Sequence, residues 1–154
     1  MIDRAQQALH LLALEPISET FADPNSYGFR PNRSTADAIA QCFKCLCKSG
    51  CAKWVLEGDI KSCFDKIGHQ WLIDNIQLDK RMLRQWLGCG FIDKGLFYKT
   101  EEGTPQGGII SPTLMLLTLA GLEQLVKSIA RRTGERINFI GYADDCVPRA
   151  QAAA

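Results

Sequence analysis

The order of patterns along this chain predicts an α+β fold, with helices gathered on one face of an antiparallel sheet. Three observations carry that expectation. Short runs rich in β-formers stand at residues 54–60, 96–100 and 137–142. Helical spacing covers 3–14, 35–48, 69–76, 79–87 and 112–132, and no segment repeats. The 154 residues, 46% of them hydrophobic, suffice for one core and read as one domain.

Taken in order, the first helix contains His10 and leads into "SYGFRPNRSTADAI". There Arg30 and Arg33 flank Pro31 and Asn32 in a turn, and Ser34 or Thr35 caps a helix starting near Ala36. Beside Tyr27 and Phe29, two arginines suit a nucleic-acid phosphate or a base; pinning a structural loop suits them equally. The strand from Trp54 to Ile60 has Asp59 near its end, where a buried strand should be apolar. That acid needs a counter-ion, or it caps the next helix. His69 follows Gly68 and opens a helix instead of binding metal. In "EEGTPQGGIISPTL", Gly103, Gly107 and Gly108 free the backbone around Pro105 and Gln106, so amides can approach a ligand. Ser111 as N-cap and Pro112 at the first position then start a helix, whose N-terminus favours anions such as a triphosphate. No Gly-Lys-Ser or Gly-Lys-Thr follows, so this is not a P-loop. Leu114, Leu117, Gly121, Leu122, Leu125 and Ile129 form the core face of that long helix. Its apolar part, Ile109 to Leu122, is too short for a membrane span and contains Ser111 and Pro112. Lys127, Arg131 and Arg132 suit its C-terminal dipole.

The segment "FIGYADDCV" is the most informative one. Asp144 and Asp145 sit side by side at the tip of a hairpin, where two carboxylates repel and lose solvation. A solvated turn is one explanation. A divalent cation is the other, because Mg²⁺ takes carboxylate oxygens together with substrate phosphates. If the Asp59 strand runs beside the Phe139 to Tyr142 strand, Asp59 and Asp144 meet on one edge. They can then share two metal ions roughly 4 Å apart, the arrangement of phosphoryl and nucleotidyl transfer.

Four blocks in order, "SYGFRPNRSTADAI", "WVLEGDIKSCFDKIGHQWL", "GTPQGGIISPTL" and "FIGYADD", resemble those of a group II intron-encoded reverse transcriptase or maturase, from Met1 to about Val147. The resemblance implies a polymerase palm, a ferredoxin-like antiparallel sheet packed on helices, with part of the fingers and incomplete at both ends. Residues 1–50 would supply fingers-side helices and the template-side loop, 51–147 the palm, and 148–154 a tail foreign to the family. It implies an RNA-directed DNA polymerase using Mg²⁺, with Mn²⁺ as substitute. The partners would be an RNA template, a DNA primer, intron RNA and deoxynucleoside triphosphates. Carried over by position, the metal-binding aspartates are Asp59 and Asp144, with Asp145 beside the primer terminus. Phe64 resembles the steric gate against a ribose 2′-hydroxyl, Gln106 and Gly107 line the incoming nucleotide, Tyr142 lies at the primer end, and Arg30 and Arg33 face the template. Asp65 has a counterpart but no metal is assigned to it. The sequence departs from the family at Gly141, where arginine is usual, at Met115 and Leu116, and at Pro148, which shortens or displaces the strand after Asp145.

The net charge of +1 is low for a polynucleotide-binding enzyme, so the isolated chain is expected to bind nucleic acid poorly and to polymerise weakly or not at all. A non-polymerising RNA-binding splicing cofactor and a truncated remnant are the alternatives; a cyclase would leave "SYGFRP" idle. Exposed edges of an unfinished sheet invite self-association. Seven cysteines without a secretory signal read as free thiols in a reducing cytoplasm, with no membrane partner. Cys42, Cys45, Cys47 and Cys51 are crowded, but 42 and 45 share a helix face while 47 points elsewhere, which disfavours zinc.

Overall fold

The computed structural model describes residues 2–47, 54–105, 107–132 and 136–151. In chain order these form α1 (Ile2–Phe21), α2 (Thr35–Leu46), β1 (Trp54–Val55), β2 (Gly58–Asp59), a 3₁₀ turn (Cys63–Asp65), α3 (His69–Asn75) and α4 (Lys80–Leu87). There follow β3 (Phe91–Asp93), β4 (Leu96–Tyr98), α5 (Ser111–Leu119), α6 (Leu122–Arg132), β5 (Arg136–Asn138), β6 (Gly141–Tyr142), β7 (Asp145–Cys146) and β8 (Arg149–Gln151). The α+β expectation holds at this level: helices accompany small antiparallel sheets. The chain divides into two compact units interleaved in sequence, residues 1–20 with 62–118, and 21–61 with 119–154. These do not coincide with boundaries near residues 50 and 147.

In the first unit, α1 runs past Pro16 to Phe21, beyond the expected stop at residue 14. Proline removes its own N–H from the helical ladder and crowds the carbonyl one turn back, yet the helix continues, and Ser18 buries its side chain with its hydroxyl returned to the Glu15 carbonyl. The β3–β4 hairpin adds a strand that the sequence patterns omit. Its turn is Lys94-Gly95, both at positive φ, the conformation that two-residue hairpins favour. Leu72, Leu83, Leu87, Ile110, Leu114 and Met115 are essentially fully buried.

The expected helix over 112–132 is two helices. Gly121, at φ +90°, breaks it, and α6 starts afresh in the second unit. The break rotates the expected face, so Leu125 and Ile129 lie exposed while Glu123 and Ala130 are buried. By length and composition alone, Ser111–Arg132 would be long and apolar enough to cross a membrane. The break at Gly121 and the buried Glu123 are features of helices packed in protein. Ser111 also departs from expectation: its hydroxyl donates to the Pro105 carbonyl at 2.9 Å, tying the helix start to the preceding loop.

The second unit is organised by two three-stranded antiparallel sheets, β1-β8-β5 and β2-β7-β6, that continue one register. The β7–β8 run is central, β1–β2 flanks it on one side and β5–β6 on the other. Register is the same before and after Pro148 on both sides. The return strand is therefore short, as expected, but not displaced. The Leu56 N–H still donates to the Pro148 carbonyl at 3.0 Å, and Val147 N–H to Ile140 at 2.7 Å. Pro148 lacks only the reciprocal donor to Leu56, one ladder bond among many. Beneath this sheet, Tyr27, Ala38 and Ile140 form a small core with Cys42 and Cys45 packed against it. Those two thiols are thus filling space; burial, and then proximity to Cys45, raises the Cys42 pKa. Cys51 lies outside the described residues, among which no group of three His, Cys, Asp or Glu side chains forms a metal cluster. α2 starts as expected: Ser34 caps it, with a reciprocal capping box through Asp37.

Candidate active site

Asp59 ends β2 and Asp145 begins β7, and the two are direct cross-strand partners. The expectation that β2 would run beside β6 is overturned, because β7 lies between them. The reason is local. A two-residue turn, Ala143-Asp144, folds Asp145 back onto Tyr142, so the strand after the turn occupies the edge that β2 would have needed. The consequence is a row of Tyr142, Asp145 and Asp59 across three strands on one exposed face. Gly141, Cys146 and Gly58 form the row on the opposite, more buried face.

Hydrogen-bonded pairs alternate along an antiparallel ladder. Ile60 N–H donates to the Asp144 carbonyl at 3.1 Å, which makes Asp59 and Asp145 a non-hydrogen-bonded pair, the kind whose side chains approach most closely. Like charges placed so are mutually destabilising. At about 4 Å they repel by about 1 kcal/mol in bulk water and about 4 at a protein-surface dielectric. Among the described residues, no ion pair or side-chain hydrogen bond relieves Asp59, Asp144 or Asp145. The turn adds its own cost, since Ala143 sits at φ +57°.

This donor set suits a hard divalent cation. It offers two facing carboxylates, Asp59 and Asp145, with Asp144 in the adjoining turn; among the described residues no three acidic side chains gather into a ready metal cluster, and no ammonium or guanidinium is bound to these acids. The nearby soft ligand is withheld: burial, and then the Asp145 carboxylate, pushes the Cys146 thiol up, so it stays neutral. The structure pairs Asp59 directly with Asp145, and Asp144 meets Asp59's strand through its backbone carbonyl.

The two arginines of the "SYGFRPNR" segment differ from each other. Arg30 directs Nη1 to the carbonyls of Asp23 (3.0 Å) and Ser26 (2.9 Å), holding the turn from inside. Arg33 is exposed and lies over the Tyr27 ring at 5.3 Å, a cation–π contact that leaves its outer face to solvent. In the other unit, Phe64 is half-buried in the 3₁₀ turn and its carbonyl accepts the Thr104 N–H at 2.8 Å. Gly107, at φ +70°, is exposed, and its carbonyl takes a hydrogen bond from Arg4. Gln106 lies outside the described residues.

The sequence patterns missed a buried polar group beneath the hairpin's neighbour segment. Asp23 accepts the N–H groups of Gly121 (3.1 Å) and Glu123 (3.0 Å) and so caps α6 from far along the chain. Glu123, 1% exposed, accepts the Asn25 N–H (3.0 Å), the Asn25 amide (2.6 Å) and Lys127. The available signals were the Asp-Pro-Asn turn at 23–25 and the Glu123–Lys127 spacing, both of which also fit a solvated surface.

Residues 1–151 match the family described as reverse transcriptase (RNA-dependent DNA polymerase). The chain belongs to that family. Several curated relatives of this reverse transcriptase domain are named as intron proteins. The group II intron-encoded protein LtrA of Lactococcus lactis subsp. cremoris is 37% identical over 142 residues, covering 86% of this chain and 23% of that protein. Protein YkfC of Escherichia coli (strain K12) is 40% identical over 130 residues, 79% of this chain and 34% of its own length. An uncharacterized 91 kDa protein in the cob intron of Schizosaccharomyces pombe is 35% identical over 133 residues, 82% of this chain and 16% of that one. The chain thus spans between about a sixth and a third of these relatives. The group II intron and maturase resemblance is borne out as to family.

Within the reverse transcriptase domain, replacing one member of the facing pair tests the repulsion. In metal-free buffer Asp59→Asn is expected to stabilise the chain by up to about 1 kcal/mol, because a like-charged cross-strand pair is removed. Thermal melts with and without Mg²⁺ check it. A lower midpoint for the variant in chelator would contradict the absence of a compensating partner.

Proposed function

We propose that this chain is the catalytic-core segment of a group II intron-encoded reverse transcriptase. It would carry the palm and part of the fingers of an RNA-directed DNA polymerase that copies an RNA template from deoxynucleoside triphosphates. The observation that supports this best is the direct register of Asp59 with Asp145, beside Asp144, without a cationic partner among the described residues. When bound, Mg²⁺ would supply charge stabilisation for nucleotidyl transfer. Asp59 and Asp144 remain the proposed ligands by resemblance, and Asp145, the cross-strand partner of Asp59, is proposed as an additional oxygen donor. The protein's own part is positioning. The ladder holds Asp59 and Asp145 opposite each other, and Tyr142 flanks them on the same face for the primer end. Arg33, exposed on its tyrosine platform, is the template-facing candidate. Phe64 as steric gate, and Gln106 and Gly107 as nucleotide contacts, rest on the resemblance.

Primer extension on an RNA template with Mg²⁺ or Mn²⁺ tests the proposal. The isolated chain is expected to extend a primer weakly or not at all, given its near-neutral charge. Mg²⁺ should nonetheless raise its melting temperature, and Asp59→Asn or Asp144→Asn should remove that rise. A chain whose melt ignores millimolar Mg²⁺ and Mn²⁺ would lack the proposed site. Robust synthesis by the isolated chain, lost in Asp144→Asn, would overturn the expectation of weak activity while supporting the function.

A further inference from the structure

The segment from Asn25 to Arg30 lies against the acidic hairpin, within the same unit. Ser26 bridges Gly141 in parallel, Tyr27 N–H donates to the Gly141 carbonyl at 2.8 Å, and Gly141 N–H donates to the Asn25 carbonyl at 2.9 Å. Both polar groups of Gly141, on the strand that leads into the Ala143-Asp144 turn, are therefore engaged by this segment. Gly28 then passes under the turn. A Cβ there would stand 2.1 Å from the Ala143 nitrogen and 2.8 Å from its Cα, so only a residue without a side chain lets the two backbones approach this closely. The segment is anchored at its far side. Arg30 ties the Asp23 and Ser26 carbonyls together, and Glu123 holds Asn25 by backbone and side chain.

We infer that this segment is an internal clamp that sets the position of the Asp144–Asp145 hairpin, with Gly28 and Arg30 as positioning residues. The inference rests on the proposed metal reading only for its consequence, not for the contact itself. It also changes the meaning of the "SYGFRP" block: its glycine and first arginine act on the acidic turn through the backbone, and the template-facing role falls to Arg33. Two parts of the sequence more than 110 residues apart are thereby one mechanical element. The strained Ala143 needs such support, because a positive-φ alanine persists only where the surroundings hold it.

The test uses the whole chain in three variants, Gly28→Ala, Arg30→Met and Ser34→Ala. The last removes the α2 cap in the same unit, where its hydroxyl hydrogen-bonds Asp37 within the cap itself, so it reports general destabilisation. Amide hydrogen exchange of Asp145 and Cys146, without metal, is expected to speed up about tenfold or more in Gly28→Ala and Arg30→Met beyond the change in Ser34→Ala, as loss of one or two hydrogen bonds would give. Mn²⁺ should broaden the amide signals of Asp59 and Asp145 in the unaltered chain, and half-broadening should need several-fold more Mn²⁺ in Arg30→Met than in Ser34→Ala. Unchanged exchange and unchanged Mn²⁺ response in a folded Arg30→Met would overturn the clamp. Should Gly28→Ala fail to fold, Arg30→Met and the unaltered chain carry the test: in the latter, the Tyr27, Gly141 and Asp145 amides should open together, and independent opening of Tyr27 would overturn it. If the unaltered chain shows no Mn²⁺ broadening, the metal reading fails while hydrogen exchange still decides the clamp. Weaker RNA binding by Arg30→Met with an unmoved hairpin would return Arg30 to the template and also overturn it.

Discussion

Gly103→Ala is expected to destabilise the chain by about 3 kcal/mol, combining backbone strain with a collision that no side chain can relieve. Gly103 lies at φ +84°, and a Cβ there would stand 2.7 Å from the Phe64 carbonyl oxygen and 2.8 Å from the Asp65 Cα and carbonyl oxygen. All three are backbone atoms, so relief requires moving the turn itself. That turn is held by the loop in return. Gly103 N–H donates to Ile67 at 2.7 Å, Thr104 N–H to Phe64 at 2.8 Å, and the His69 ring meets the Gly103 carbonyl at 2.8 Å. The "GTPQGG" loop and the turn bearing Phe64 thus form one docked pair, and the methyl would separate them. Gly95→Ala is the right comparator. Gly95 has a similar φ of +81° but nothing within 4 Å of its Cβ position, so it suffers strain without collision. The melting temperature should fall by about 6–12 °C for Gly103→Ala and by clearly less for Gly95→Ala. Equal falls would mean that the loop does not dock as described.

That docking also shows where sequence patterns stop. Glycines in "EEGTPQGG" announce a loop that something approaches closely, and this was legible; that Gly103 meets Phe64's own backbone was not, because the partner lies far along the chain. The acids show the same division. Their placement at a strand end and a turn tip follows from an apolar pattern interrupted by charge: Asp59 ends β2 and Asp144 lies in the turn, while Asp145 already begins β7. Which edge β2 would take does not follow from pattern, since a strand with period two fits either neighbour. Pro148 weighed against a strand after Asp145, and it falls in the interval between β7 and β8, where the ladder is interrupted and a missing donor costs least. The long helix failed for a different reason. A single positive-φ glycine resets the helical phase, so Leu125 and Ile129 were counted to the core by a period that no longer applied. What took their place was Glu123, and a buried carboxylate is indistinguishable in sequence from a solvated one.

Replacing that carboxylate should therefore have an effect out of proportion to its surface-like sequence. Glu123→Gln is expected to cost about 2 kcal/mol at neutral pH, because charged acceptors strengthen buried hydrogen bonds and the amide cannot accept from Asn25's N–H, Asn25's side chain and Lys127 together. Most of that weight falls on the Asn25 bonds, since Lys127 is 40% exposed and its share is screened by water. The pH dependence distinguishes this from a packing defect. Burial acts to raise the Glu123 pKa, but hydrogen bonds from Lys127 and Asn25 outweigh it, and the carboxyl ends below its ordinary 4.5. A depressed folded pKa contributes stability that is fully present above the unfolded value and is lost as pH falls through the folded one. Urea midpoints of the two proteins should accordingly lie well apart at pH 7 and converge below pH 4.5. A gap that stays constant with pH would show that the shape of the substituted amide, and not the missing charge, is at fault. Because Asn25 begins the segment that holds Gly141, the variant should also loosen the acidic hairpin, joining a buried charge on α6 to the geometry of Asp59 and Asp145.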